Sequence, residues 1–380
     1  AAAGGYTKIL RILLNCPGGV DHRDNSNSTP LIWAAANGHE DALNLLLKSG
    51  AGLNSADSEG KTAIIWAAKA GHTGMIEILF AKGADPHIRD NHERTPLIWA
   101  AGRGHTEVVN FLLKNGADPL SSDKDGLNSL SWAAAGGHFK VVERLLANRM
   151  AIDSLDKDDR TPLSFAAEGG HECMMITLLE HGADPSCHDS SGRTPLSWAV
   201  ASNSAGVRVL NALSKVSLET LNMQDKTGRT ALSWAAGVGN IEAVKILLQK
   251  GVNWSLADNN GRTPLSWAVG SGNLAVMKLL LNCGANLDCE DDSGRTLLSY
   301  AAEGGEEEIF KIRLLDHGVD LDSRDNNLRT PLSWASGGGY TTVAETLLKR
   351  GAEIDSSDNT GRTPLSYALE GGFDKIVTLL

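Results

Sequence analysis

Five histidines recur at intervals of 33 residues, and imidazole is a common metal ligand and a common acid–base catalyst. They are His39, His72, His105, His138 and His171. A metal site needs two or more converging ligands at short spacing. Residues one structural unit apart are separated by about 10 Å, the usual distance between packed helices. The adjacent pair Cys187 and His188 has no partner cluster. The sequence therefore predicts a structural role for these histidines and no metal site.

Other reactive side chains are plentiful, but they follow the same period. Serines and aspartates fall at equivalent places in successive segments, whereas catalysis needs one singular arrangement. The sequence contains no Walker-type phosphate loop and no Gly-x-Ser-x-Gly elbow. These observations predict a non-enzymatic protein without a cofactor.

The period comes from one motif, Thr-Pro-Leu-(Ser/Ile)-Trp-Ala, in slightly varied forms. Its eleven copies begin at Thr29, Thr62, Thr95, Asn128, Thr161, Thr194, Thr230, Thr263, Thr296, Thr330 and Thr363. Eight of the ten intervals are 33 residues, and the other two are 36 and 34. A fixed period of this length is typical of a repeat array.

Each unit predicts a turn followed by two helices. Thr29 is a good N-cap, Pro30 suits the first helical turn, and the first helix runs to about Asn37. The second helix carries an apolar run and ends at a glycine such as Gly50. An Asp five residues before each Thr opens the turn and accepts backbone N–H groups. Because such short helices are marginal alone, neighbouring units must stack.

The pattern D-x-x-G-R-T-P-L-S-W-A-A-x-x-G-H-x-x-x-V-x-x-L-L-x-x-G-A-D resembles the ankyrin repeat over almost the whole chain. The resemblance implies an all-α ankyrin-repeat solenoid of about eleven to twelve units with short β-turn or hairpin loops. Ser at the fourth motif position, where many ankyrin repeats have His, and Trp at the fifth, where they have Leu, are departures. In these the chain resembles ankyrin arrays of filamentous fungi, which are often attached to NACHT-type nucleotide-binding modules.

The predicted domain organisation is one ankyrin-repeat domain over residues 1–380. It comprises a truncated leading repeat (1–28), regular repeats (29–193), an irregular repeat (194–229) and further repeats (230–380) whose last member is truncated. We expect the chain to be a fragment of a longer array, since both ends cut through a repeat. In the irregular repeat the second helix is predicted over Val207–Val216, and the helix starting at Glu306 contains one extra residue.

Aromatic and basic residues also share the period. The aromatic residues are Trp33, Trp66, Trp99, Trp132, Phe165, Trp198, Trp234, Trp267, Tyr300, Trp334 and Tyr367. We expect them to fill the seam between units, although they could form a strip for a ligand. The basic residues before each Thr are Lys61, Arg94, Arg160, Arg193, Arg229, Arg262, Arg295, Arg329 and Arg362. We expect them to pack over aromatic rings near the turn aspartates, although they could grip an acidic peptide.

The resemblance implies that partners contact the turn tips and first-helix ends on a concave face. The first-helix ends carry mostly small residues, so charged or aperiodic side chains are the candidates for recognition. The candidate partner-binding residues are Lys69, Arg103, His92, Glu168, Trp254, Glu303 and Glu370. Trp254 stands out because it lies in the extended approach to a turn, where exposed Trp would suit a hot spot.

Composition limits the partners. The net charge of −11 and the lack of a long apolar stretch disfavour nucleic acid and membranes. Five cysteines without a shared spacing predict reduced thiols in a cytoplasmic protein. We therefore expect a monomeric scaffold that recognises a protein partner of unknown identity. The alternatives are the recognition array of a larger enzyme or NACHT-type sensor, and an engineered ankyrin scaffold.

Overall fold

The computed structural model describes residues 1–15, 19–148, 150–203, 206–307 and 319–380. Within these ranges the regular structure is helical, and the strand-like pairings are isolated bridges between Ser122 and Asn128 and between Glu290 and Thr296. The predicted all-α fold class is confirmed. None of the described helices is both long and apolar enough to cross a membrane. The chain divides into two compact units, Ala1–Ser190 and Ser191–Leu380.

The first unit begins with a 3-10 helix, Ala2–Gly4, and an α-helix, Thr7–Leu13. Five helix pairs follow. Their first helices are Pro30–Ala36, Ala63–Ala70, Pro96–Gly102, Ser129–Ala135 and Pro162–Glu168. Their second helices are Glu40–Lys48, Thr73–Ala81, Thr106–Lys114, Phe139–Ala147 and Glu172–Glu180. Each first helix packs against its own second helix and against the first helix of the adjacent pair.

The second unit repeats this arrangement. Its first helices are Pro195–Ala201, Ala231–Val238, Pro264–Gly270, Leu297–Gly304, Pro331–Gly338 and Pro364–Gly371. The second helices within the described residues are Val207–Leu213, Ile241–Gln249, Leu274–Asn282, Thr341–Lys349 and Asp374–Leu379. Successive first helices pack together here too.

The irregular repeat differs from its prediction. Its second helix ends at Leu213 rather than continuing to Val216, and a separate short helix, Leu218–Leu221, follows. Ser217 starts that short helix because its side chain accepts a hydrogen bond from the backbone N–H of Thr220. The predicted change in the helix beginning at Glu306 falls mainly on residues 308–318, which lie outside the described residues.

The predicted helix caps are formed by side chains. The Oγ1 of Thr29 accepts the backbone N–H of Ile32 at 3.4 Å, and eight further threonines at this motif position cap in the same way. Asn128, which replaces Thr, accepts the N–H groups of Leu130 and Ser131. Thr62 is the exception, since its buried Oγ1 has no hydrogen-bond partner. Each cap fixes where a first helix begins, and hence which side chain lies at its end.

The turn aspartates hold the loops that precede these helices. In Asp57, Oδ1 accepts the backbone N–H groups of Glu59 and Lys61, each at 2.9 Å. Successive turns are also joined by backbone bonds, such as the one from Asn91 N to Glu59 O at 3.0 Å. Gly60 has a φ of 77°, a conformation that L side chains adopt at a cost. The turns thereby fix the position of basic residues such as Lys61 within each repeat.

The recurrent histidines link one repeat to the repeat before it. His72 Nε2 lies 3.2 Å from the carbonyl oxygen of Ala36, and His105 Nε2 lies 3.0 Å from that of Lys69. The same contact is made by His39, His138 and His171. These bonds satisfy carbonyl groups at the end of a first helix, which would otherwise lack a partner. The histidines therefore have the structural role that the sequence predicts.

Candidate functional site

Most of the recurrent aromatic side chains are half-buried rather than fully enclosed. Trp33 is 41% exposed, most of the others are half-buried, and Tyr300 is buried. The Nε1–H of Trp66 donates to Oδ2 of Asp57 at 2.8 Å, nine residues earlier. The rings lie where adjacent repeats meet, since Arg229 contacts the rings of two repeats, and that they fill the seam between units stays a prediction. The indole N–H groups of Trp33, Trp99, Trp132, Trp234, Trp267 and Trp334 are held on turn carboxylates in the same way as that of Trp66.

In the second unit these rings form a closed stack with arginines. The closed stack comprises Arg193, Arg229, Arg262, Arg295 and Arg329 with Trp198, Trp234, Trp267, Tyr300, Trp334 and Tyr367. Each of these guanidinium groups lies over the ring of its own repeat and that of the next. For Arg229 the distances from Cζ to the two ring centroids are 3.5 and 3.8 Å. The predicted packing of the basic residues over aromatic rings is confirmed.

Arg229 makes its polar and ring contacts inside the closed stack. Its Nη2 donates to the carbonyl oxygen of Ser233 at 3.2 Å, while its buried Nε has no hydrogen-bond partner. Burial lowers the pKa of Arg229 to about 10, and the nearby carboxylates of Asp225 and Asp258 act in the opposite direction. A guanidinium sandwiched between two rings is poorly placed to meet a partner.

The first unit contains a different arrangement, which we call the open site. The open site comprises Lys61, Lys69, Arg94 and Arg103 with Trp66, Trp99 and Trp132. Lys61 Nζ lies 5.2 and 5.0 Å from the centroids of Trp66 and Trp99, and Lys69 Nζ lies 4.3 and 4.9 Å from the same two rings. Two ammonium groups thus share a space that one guanidinium fills in the closed stack.

The two ammonium groups differ in whether a carboxylate forms an ion pair with them. Lys61 is 3% exposed and pairs with Glu59. Among the residues that the structure describes, Lys69 has no carboxylate within ion-pairing distance. Partial burial lowers the pKa of Lys69, and the positive charges of Lys61 and Arg103 lower it further. Lys69 is therefore a half-buried cation in need of a counter-charge.

A cavity of about 370 Å³ adjoins Trp99, one of the two rings that the lysines contact. It is lined by Arg94, Ile98, Trp99, Gly102, Arg103 and Trp132. Arg94 leans towards the adjacent turn, with Nε 3.3 Å from Oδ2 of Asp123. Arg103 is exposed at the end of its helix, and across the described part of the chain no carboxylate pairs with it. The cavity therefore presents two guanidinium groups and two indole rings to solvent.

The three acidic candidates are already engaged within the chain. Glu168 pairs with Arg160, Glu303 with Arg295, and Glu370 with Arg362, the last at 3.3 Å. In each pair the Glu is the last or next-to-last residue of a first helix and the Arg lies eight residues earlier. These glutamates thus neutralise neighbouring arginines, which leaves Lys69 and Arg103 as the candidates whose charges are unmatched.

The remaining two candidates lie elsewhere. His92 is exposed in a turn, where its backbone N–H donates to Asp90 and its carbonyl oxygen accepts from the N–H of Lys124. Trp254 belongs to the second unit and is partly buried rather than exposed. Neither residue lines the cavity beside Arg103.

Sequence reasoning missed two features of this region. The first is the bond from each indole to a turn carboxylate, which the constant spacing of nine residues between Asp and Trp could have revealed. The second is the cavity, which depends on the direction that Arg94 takes and on two rings from adjacent repeats. No sequence signal reports that direction.

The comparison with protein families agrees with this geometry. The family model described as "Ankyrin repeats (3 copies)" matches residues 1–90, 51–123, 76–156, 130–220, 211–291, 267–358 and 314–380. The comparison with curated proteins gave no match. Attachment to NACHT-type modules and the resemblance to fungal arrays stay predictions.

Proposed function

We propose, because the chain belongs to the ankyrin-repeat family and such repeats generally serve as protein–protein interaction modules, that it binds a protein partner through the open site. The binding face would be the concave one, formed by the turn tips and the ends of the first helices. The partner would present an acidic segment to Lys69 and Arg103.

The observation that carries this proposal is the pair of unmatched cations at Lys69 and Arg103. The chain as a whole is acidic, with a net charge of −11, so a local cationic surface is a departure from its average. Partly buried charges that lack an internal counter-ion favour a partner that supplies one. Half-buried indoles beside them add apolar contact area, as in many interface hot spots.

The acidic candidates play a different part in this proposal. Because Glu168, Glu303 and Glu370 hold arginines of their own repeats, they keep those repeats from attracting the same acidic segment. Selectivity for the open site would then come from unmatched charge rather than from shape alone.

The proposal is tested by charge reversal. Tagged wild-type protein and the double variant Lys69→Glu/Arg103→Glu are used to recover partners, which are quantified by mass spectrometry. We expect the acidic partners to be depleted by about tenfold or more, because each reversal replaces attraction by repulsion. Raising the salt concentration should weaken recovery by the wild type.

The matched control is Arg208→Glu/Lys278→Glu, which makes the same change of net charge at two exposed positions in the second unit. It should leave recovery unchanged. Equal recovery by the open-site variant and the wild type would refute the proposed function.

A further inference from the structure

The chain shows three times how a carboxylate sits beside a basic residue of the aromatic row. In each case a Glu at the end of a first helix contacts the Arg eight residues earlier: Glu168 with Arg160, Glu303 with Arg295, and Glu370 with Arg362. The side chains of these glutamates are 47 to 57% exposed, so the carboxylates lie at the surface over the row. They therefore mark the place where a carboxylate fits against this type of repeat.

The repeat of Arg94 lacks this carboxylate. The residue eight positions after Arg94 is Gly102, which ends the helix Pro96–Gly102 and has no side chain. Gly102 is one of the residues that line the cavity of about 370 Å³. That volume is far more than the roughly 10–15 Å³ that a single water requires. The cavity thus occupies the position of the missing glutamate.

Absence of a side chain does not by itself open a cavity. In the closed stack, a Cβ placed on Gly237 would lie 3.0 Å from Nη2 of Arg229, so the guanidinium already fills the space there. The three atoms nearest to a Cβ on Gly102 would all belong to Trp132, at 3.4 to 3.7 Å, and none of them to Arg94. Arg94 lies 5.2 and 4.5 Å from the ring centroids of Trp99 and Trp132 with its Nε on Asp123, and the cavity remains beside it.

We propose that this cavity receives a glutamate side chain from the acidic segment of the protein partner, with its carboxylate between Arg94 and Arg103. This inference rests on the proposed function and adds the residue type and its position. The partner's carboxylate takes the place that Glu168 occupies in its own repeat, and its methylene groups contact the rings of Trp99 and Trp132. Arg103 gives the site a second guanidinium.

Charge in the surroundings favours an acidic occupant over a basic or neutral one. Lys69 and Arg103 are close enough for their charges to affect each other. A cation from a partner would meet this positive field, and a neutral side chain would leave it uncompensated. Asp123 already pairs with Arg94, and its Oδ2 also accepts the Nε1–H of Trp132 at 2.9 Å, so among the described residues Lys69 and Arg103 are the cations here that no carboxylate contacts.

The test fills the cavity from within. Fluorescein-labelled hexaglutamate is titrated with wild type and with the Gly102→Glu variant, and hexaglutamine serves as the uncharged probe. The new side chain should pair with Arg94 as Glu168 pairs with Arg160, and it should weaken hexaglutamate binding by about tenfold or more. Hexaglutamine should not bind measurably to either protein.

The matched control is Gly270→Glu in the second unit. Gly270 also ends a first helix, lies eight residues after Arg262, and has an aromatic ring, that of Tyr300, as its nearest neighbour. Its next residue is Ser271, where the open site has Arg103. This variant should bind hexaglutamate like the wild type and should fold as the Gly102→Glu variant does, as judged by circular dichroism.

A second measurement locates the peptide. In NMR spectra of the wild type, hexaglutamate should shift the indole N–H signals of Trp99 and Trp132 more than those of Trp234 and Trp267. Equal shifts at all four would overturn the inference.

The outcomes also separate the two proposals. If Lys69→Glu/Arg103→Glu weakens hexaglutamate binding but Gly102→Glu does not, the cavity assignment is wrong and the acidic-partner function stands. If neither change weakens binding, or the wild type binds hexaglutamate no better than hexaglutamine, both proposals fail.

Discussion

In the closed stack of the second unit and the open site of the first, the same repeat positions have different roles. In the closed stack, Arg229 lies between Trp234 and Trp267 and donates to a helix carbonyl group. In the open site, Lys69 and Arg103 have no carboxylate within ion-pairing distance in the described parts of the chain. The comparison teaches that a periodic residue can be structural in one repeat and available to a partner in another.

The residue near the end of the first helix and the basic residue eight positions earlier together decide between these outcomes. A Glu there neutralises the Arg of its repeat, as Glu303 does for Arg295. Gly237 lets the guanidinium of Arg229 lie close by. Lys69 adds a second positive charge, and Gly102 beside the leaning Arg94 leaves a cavity. These two positions together can therefore close or open the surface of a repeat.

Acid should have the largest effect on this comparison, because it acts on many turn carboxylates at once. Burial raises the pKa of Asp225, but hydrogen bonds from Thr227 and Trp234 outweigh it and the net pKa is lowered. The pKa of Asp358 is lowered in the same way through Tyr367 and Thr360. A carboxylate with a lowered folded-state pKa stabilises the fold above its unfolded pKa, near 3.8, and loses this contribution as pH falls through the folded value.

We therefore expect the helices of the second unit to lose stability below about pH 3.8. Hydrogen exchange measured between pH 2 and pH 6 detects this loss. Lys69 should respond in the same sense, but at alkaline pH. Its lowered pKa means that stability near the open site rises as pH increases from the folded-state pKa towards 10.5. A second unit that is equally stable at pH 2 and pH 6 would contradict this prediction.

Removing an arginine should give the second-largest difference in stability between the two regions. Arg229→Ala removes a buried guanidinium from two rings, and we expect local stability to fall by about 2 kcal/mol. Arg103→Ala removes an exposed side chain, and we expect a change within about 0.5 kcal/mol. Native-state hydrogen exchange in Ala231–Val238 and Pro96–Gly102 measures these changes. Similar losses in both helices would show that Arg103 is structural after all.

Replacing an indole by a phenyl ring should have a smaller effect. Trp234→Phe leaves Oδ2 of Asp225 without the Nε1–H donor that now lies at 2.9 Å, and we expect a loss of about 1–2 kcal/mol. The matched change Trp33→Phe affects Asp24, which is exposed and can bind water instead, so its cost should be smaller. Thermal unfolding of both variants provides the check, and a larger loss for Trp33→Phe would reverse the ranking.

The smallest effect on stability is expected at Lys69. Lys69→Glu removes a repulsion with Lys61 and Arg103 and places a carboxylate where other repeats carry Glu, so stability should change by less than about 0.5 kcal/mol. Hexaglutamate binding should nevertheless weaken. A loss of stability above about 1 kcal/mol in Ala63–Ala70, measured by hydrogen exchange, would mean that Lys69 holds the fold together.

Local chemistry explains why much of the fold could be predicted. Thr29 caps its helix by accepting the backbone N–H of a residue three positions later, and Oδ1 of Asp57 accepts N–H groups two and four positions later. Such contacts depend only on neighbours in sequence, so the motif reports them directly. The irregular repeat was harder, since the loss of the helix after Leu213 follows from the competing cap at Ser217.

The candidate site was predictable only in part. The sequence singled out Lys69 and Arg103 because they break the pattern of small residues at first-helix ends. It grouped them with Glu168 and Glu303, whose arginine partners lie eight residues away across a turn and a helix. It also expected Trp254 to be exposed, whereas that side chain is partly buried.

The amino-acid sequence by itself determined the repeat, its caps and turns, and the helical fold, because these arise from contacts within one repeat length. Tertiary structure alone decided which cations are satisfied and where a cavity remains. The reason is that Arg94 lies over the rings of Trp99 and Trp132 and also contacts Asp123, and this position depends on side chains from two adjacent repeats packed together.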